Sequence, residues 1–289
     1  MVEWFLYLPQ SGLGVADLLE RSLAAEAAGF DGVAFLDHVE TPVAPESPIW
    51  EAMTVATWIA ARTTTLRIGH LVLCDAFRHP AVLAKQAVTL AEASGGRFEL
   101  GLGAGSLPDE LAKFGFTTDG PGARITHLGE TLRRVRNYWG VGDDTEPPQA
   151  PHPTHPIPIV LGGTGQRMLG LVAEHADWWN LPADKVDRMD EYLPAIGSAR
   201  ISVQQMVAFV KEGDDREKVD SKSRRVFGSL GAGLVCGTAP ELIDYFKNLE
   251  TRGAQRFYIW FSDFARLPSI TEFGRSVIDA YQDSNHPER

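Results

Sequence analysis

The chain has 289 residues, 44% hydrophobic and 22% charged, enough to bury a large core in one α/β domain spanning 1–289. Its 38 acidic against 27 basic residues leave a net charge of −11, which repels a polyphosphate backbone and argues against nucleic acid as a partner. Apolar runs such as LVAEHADWW break well short of about 18 residues and no basic segment precedes an apolar one at the N-terminus, so neither a membrane span nor a signal peptide is expected.

In chain order, EWFLYLP (3–9) reads as a strand and VADLLERSLAAEAAGF (15–30) as a helix ending near Gly29. DGVAFLDH (31–38) is a second strand, followed by a helix from about Pro48 to Thr63. TLRIGHLVL (65–73) is a third strand, and its helix, 80–94, carries Pro80 in the first turn, where no hydrogen bond is lost. RFELGLGAG (97–105) pairs with a helix over 123–139, IPIVLGG (157–163) with one over 164–175, and ADWWNL (176–181) with one over 185–196. SVQQMVAFV (202–210) precedes a helix over 239–253, and AQRFYIWF (254–261) precedes a closing helix over 269–282. Eight strand-helix units in this length predict a (β/α)8 TIM barrel with insertions after strands four and seven, at 140–156 and 211–233. Long insertions of this kind commonly serve as lids or mobile segments.

Barrel active sites lie where the strands end, which selects Pro9, Gln10, Asp37, His38, Cys74, Asp75, Gly105, Ser106, 162–165, Asn180, Ser262 and Asp263. One histidine, a few acids and many backbone amides suit a ligand-gripping site better than metal hydrolysis. His70 and His79 share no metal spacing with His38, and no metal is expected. The two cysteines, Cys74 and Cys236, fit neither a metal motif nor a disulfide framework, which makes a reduced cytoplasm the default compartment.

Two glycine clusters invite a nucleotide reading. GGRFELGLGAGS (95–106) has the spacing G-x-G-x-G inside a strand, where a dinucleotide fingerprint needs G-x-G-x-x-G opening directly into a helix. Period two puts Gly101, Gly103 and Gly105 on one face and Leu100, Leu102 and Ala104 on the other, with the leucines toward the helices and the glycines toward the barrel interior. The missing side chains either admit bulky neighbours or clear space for a flat ligand. LGGTGQR (161–167) runs straight into a helix, so amides of Gly163, Thr164 and Gly165 with Arg167 form an anion candidate, the alternative being a tight strand-helix turn.

These segments in this order resemble the bacterial luciferase-like superfamily of flavin- and coenzyme F420-dependent oxidoreductases. The resemblance rests on FLYLPQ, AAEAAGFDGVAFLDH, LRIGHLVLCDAFRHPAVLAKQAVTLAEASGGRFELGLGAGS, HLGETLRRVRNYW, IPIVLGGTGQRMLGLVAEHADWWN and CGTAPELIDYFKNLETRGAQRFYIWF. It implies a cofactor ring in the barrel mouth, phosphate held by Ala104, Gly105, Gly162, Gly163, Thr164 and Gly165, and a cis peptide at Leu71–Val72 that props the ring. It further implies ring-edge contact by Asp37, acid-base chemistry at His38, and a homodimer; Cys74 is counted with the cofactor-contacting positions. Coenzyme F420 is the expected cofactor, from the strand-three and glycine motifs, with FMN and reduced-flavin monooxygenase chemistry as the alternative. The sugar-phosphate dehydrogenase branch expects a tryptophan soon after the histidine and a glutamate directly after the glycine motif. DHVETPVAPE lacks the first and Ser106 replaces the second, so that substrate is disfavoured and a different small organic molecule is expected.

Overall fold

Each apolar run pairs in parallel with its neighbours because the helix between them returns the chain to the same end of the sheet. The computed structural model describes residues 2–42, 44–143 and 145–285. Its first half comprises β1 (Glu3–Tyr7), α1 (Val15–Ala27), β2 (Gly32–Phe35), α2 (Ala52–Ala60), β3 (Arg67–His70), β4 (Leu73–Cys74), α3 (Pro80–Ala93), β5 (Leu100–Gly103), α4 (Pro108–Lys113) and α5 (Pro121–Tyr138). The second half comprises β6 (Ile159–Gly162), α6 (Gln166–His175), β7 (Trp178–Pro182), α7 (Met189–Tyr192), β8 (Arg200–Phe209), α8 (Arg216–Phe227), β9 (Val235–Gly237), α9 (Ala239–Thr251), β10 (Ala254–Phe261), α10 (Leu267–Phe273) and α11 (Ala280–Asn285).

The sheet order is β3-β2-β1-β10-β8-β7-β6-β5-β4, all parallel, and an Ile68–Phe98 bridge joins the two ends into a barrel. The expected third strand is split: β3 and β4 flank Leu71–Val72, and the peptide between those two residues is cis. β9 was not anticipated; it lies off the ring and pairs with the outer part of β8.

Side chains alternate as period two demands. Leu100 and Leu102 join the large core between sheet and helices, while Phe5, Tyr7, Val160, Trp178 and Tyr258 form a second cluster within the barrel. The barrel floor is polar. Arg256, wholly buried, donates to Glu99 at 2.5 and 2.9 Å and to Glu3 at 2.7 Å, and its guanidinium lies 3.8 and 4.1 Å from the Trp178 and Phe5 ring centres. Burial alone would lower its pKa, but Tyr258 and the two carboxylates more than offset that and keep it charged.

Both insertions are present, and one expectation needs correction, the helix over 185–196. The insertion at 140–156 follows α5, the helix of the fourth unit, and its later part is tied to α3: Gln149 Nε2 donates to the Ala81 carbonyl at 3.1 Å and Lys85 Nζ to that of Ala150 at 2.5 Å. At the mouth, the link from β5 to α5 carries the additional short helix α4. The helix expected over 185–196 is a chain of short 3₁₀ turns around α7. The 211–233 insertion holds α8 and a 3₁₀ segment, Gly228–Gly233, placed over the β7–β8 end of the barrel.

Candidate active site

The strands end at one mouth, and the residues just past them line a cleft of about 440 Å3, within the usual range of about 300–1,000 Å3 for small-molecule sites. Asp37, His38, Leu71, Val72, Cys74, Ala104, Gly105, Gly162 and Gly163 all line it. Thr164 and Gly165 continue the turn into α6 just outside that lining.

The glycines of β5 make room mainly for the protein itself. A β-carbon at Gly101 would overlap the His70 carbonyl oxygen, and one at Gly103 would fall 2.6 Å from Val72 Cγ2. Their absence lets the break between β3 and β4 lean across β5, which brings Leu71 and Val72 to the cleft. Gly105 adopts φ +81°, a left-handed conformation open to glycine, as the chain leaves the strand.

His38 lies three residues past β2 and meets a partner from α4. Its Nδ1 lies 2.7 Å from Glu110 Oε2, and Glu110 Oε1 accepts from the amides of Val39 at 2.7 Å and Glu40 at 3.2 Å. The His38 side chain is partly buried, at 13% exposure, and that of Glu110 is buried, at 4%. An ionised Glu110 has no proton to give, so in neutral His38 the hydrogen resides on Nδ1 and Nε2 is the free acceptor.

Asp37 lines the same cleft and is also tied to the protein. Its carboxylate accepts from the Cys74 amide at 2.7 Å and from Arg78 at 2.5 and 3.0 Å, so it anchors the end of β4. Arg78 also bonds Glu51 at 2.7 Å; burial lowers its pKa but these carboxylates raise it further. Cys74 carries an inert thiol, pushed up to about 11 by burial. Gln10 is spent on Leu36 and Trp50 backbone groups, and Asp75 holds His127 Nδ1 at 2.6 Å.

At the second glycine cluster, Gly163 has φ +105° and, among the described residues, no side chain caps the first turn of α6, which leaves helix amides open to a ligand. Arg167 does not face this turn; it donates to the Gly122 carbonyl at 2.9 Å and to Thr126 Oγ1 at 2.6 Å. The cation on the cleft is Arg124, which sequence reasoning missed, and its Nε donates to the Ala104 carbonyl at 3.2 Å. Gln204, also missed, lines the cleft from β8; a polar residue at an interior position of an apolar strand was the available signal.

A closed parallel sheet with a cleft at the ends of its strands is the architecture of a TIM-barrel protein. The family model for luciferase-like monooxygenases matches residues 6–265, and the chain belongs to that family, whose members are F420- or flavin-dependent oxidoreductases. It is 28% identical over 211 residues to an F420-dependent glucose-6-phosphate dehydrogenase of Amycolatopsis mediterranei, a match that covers 67% of this chain and 62% of the relative. Among solved structures it superimposes on an F420-dependent secondary alcohol dehydrogenase in complex with an F420-acetone adduct, with TM-score 0.77, 17% identity, and 96% and 98% of the two chains covered. It also superimposes on the EDTA monooxygenase of Chelativorans sp. BNC1, with TM-score 0.78, 14% identity, and 98% and 94% covered. At these identities the two superpositions speak for the fold alone. No helix of the described residues is long and apolar enough to cross a membrane.

Proposed function

We propose that the barrel mouth binds coenzyme F420 and that the protein exchanges hydride between it and a small organic substrate. The observation that carries this reading is the His38–Glu110 pair on the cleft wall. Oxidising an alcohol to a carbonyl removes a hydride and a proton, and the proton needs a base beside the reacting carbon.

The cleft's residues fit such a group. Leu71, Val72 and Gly103 form an apolar wall for a flat ring, and the Gly162–Gly163 turn with the first amides of α6 offers a seat for phosphate. When bound, a deazaflavin supplies a hydride acceptor or donor. Nε2 of His38 takes the hydroxyl proton in the oxidising direction and returns it in the reducing one, while Glu110 fixes the ring through Nδ1 and balances the imidazolium charge. Arg124, tied to the Ala104 carbonyl, places positive charge beside the cleft.

Titrating the purified protein with F420 and with FMN tests the reading: F420 binds more tightly and supports turnover. Tighter FMN binding together with oxygen uptake on adding reduced FMN would overturn it in favour of a monooxygenase.

A further inference from the structure

A second cavity of about 210 Å3 adjoins the cleft and shares Pro182 and Gln204 with it. Its remaining walls are Ala183, Met206, Leu230, Ala232 and Trp260, with Asp184 as the sole ionisable residue. Trp260 is held between two aromatic rings, 5.1 Å from Tyr7 and 5.0 Å from Phe227, both edge-on. Met206, Phe227 and Ala183 form their own small cluster, separate from the main core. Leu230 and Ala232 come from the 3₁₀ segment of the 211–233 insertion, whose role the sequence left open.

Resting on the reading that the cofactor ring occupies the main cleft, we infer that this annex seats the substrate, and that the substrate is small, uncharged and largely apolar with one polar group. The walls supply apolar and aromatic surface and no cation. An anion placed there would lose hydration with no cation on the walls to offset its charge, and would face the Asp184 carboxylate. Among the described residues, no protein acceptor lies within hydrogen-bond reach of the Trp260 indole N–H, which is partly exposed and free to donate to a substrate oxygen. Lys185 Nζ lies 2.9 Å from Asp184 and offsets the charge of that carboxylate, so the selection against anions rests chiefly on the apolar walls. The annex thereby selects against phosphorylated and carboxylate substrates, in keeping with the missing tryptophan and glutamate of the sugar-phosphate branch.

The probe pair is 4-fluorobenzyl alcohol and 4-fluorobenzoate, followed by 19F NMR titration of the full chain with and without saturating F420 or FMN. The alcohol binds, and the benzoate binds at least about tenfold more weakly, the factor expected for a modest charge penalty. Ala232→Trp fills the annex and abolishes alcohol binding. Leu230→Trp, at a residue 50% exposed and therefore safe for folding, does the same from the rim. Equal binding of the two probes, absence of alcohol binding, or retention of it in both variants would each overturn the inference. Cofactor titration of the same samples is read separately: loss of F420 and FMN binding in the wild-type protein defeats the proposed function, whereas normal cofactor binding with unaltered probe binding in the variants defeats only the annex.

Discussion

Nδ1 of His38 and Oε2 of Glu110 stand 2.7 Å apart, although 72 residues separate them in the chain. Glu110 is nearly fully buried and spends its other oxygen on two backbone amides, so it is held rigidly and in turn holds the imidazole. Glu110→Gln keeps an acceptor for those amides but removes the charge facing Nδ1. Turnover with F420 should fall about 10- to 100-fold while the cofactor Kd stays within about twofold. His38→Ala should cost at least as much. Steady-state kinetics beside a cofactor titration check this, and unchanged kcat in both variants would remove the pair from the reaction.

At Gly163, two variants separate charge from backbone cost. Asn and Asp meet the same penalty at φ +105°, but only Asp adds a carboxylate beside the uncapped start of α6. Gly163→Asp should therefore weaken cofactor binding by about tenfold or more beyond Gly163→Asn. Identical affinities for the two variants would show that no phosphate sits there.

The glycines of β5 differ in what opposes them. Gly101→Ala drives a methyl into the His70 carbonyl, which belongs to the backbone and cannot step aside, so a loss of about 3 kcal/mol or more is expected. Gly103→Ala meets a Val72 methyl, and its smaller cost should shrink further in a Val72→Ala background. Urea denaturation of the wild type, the three single variants and the Gly103→Ala/Val72→Ala double variant measures this; equal costs for Gly101→Ala and Gly103→Ala, or strict additivity with Val72→Ala, would contradict the packing described.

His70 makes stability depend on pH. Its ring is buried, with Nε2 3.2 Å from the Ala52 carbonyl and Nδ1 without a partner among the described residues, and burial lowers its pKa to about 4. The unfolded chain titrates this group near 6.5, so between those two values the unfolded state binds the extra proton. Its contribution is in place above pH 6.5 and is lost as pH falls toward 4, by about 3 kcal/mol in full. His70→Phe keeps an aromatic ring beside Phe35 and Phe98 and abolishes the titration. The gap in urea midpoint between pH 7 and pH 4.5 should be smaller in the variant, and an equal gap would refute the assignment.

Much of the site could be read before the fold was known. His38, the 162–165 turn and the end of β5 all sit at strand ends, and period two correctly put Leu100 and Leu102 on the helix side. Arg167, counted with the anion candidate, donates instead to Gly122 and Thr126, whereas Asp37, a ring-edge residue by the family resemblance, lines the cleft with its carboxylate held by Arg78. A residue's place along a strand says where its backbone goes, not which partner its side chain finds first.

That division has a physical basis. Strand and helix order, capping signals such as Thr238 with Glu241, and the barrel itself follow from periodicities of two and 3.6 residues, which are local properties of the chain. Glu110 beside His38, Arg256 between Phe5 and Trp178, and Trp260 in the annex under the Leu230 segment join residues that no local pattern connects. Closing the barrel brings those groups together, and only then do burial and low dielectric decide which charges pair, which polar atoms stay free, and which surface is left for a ligand.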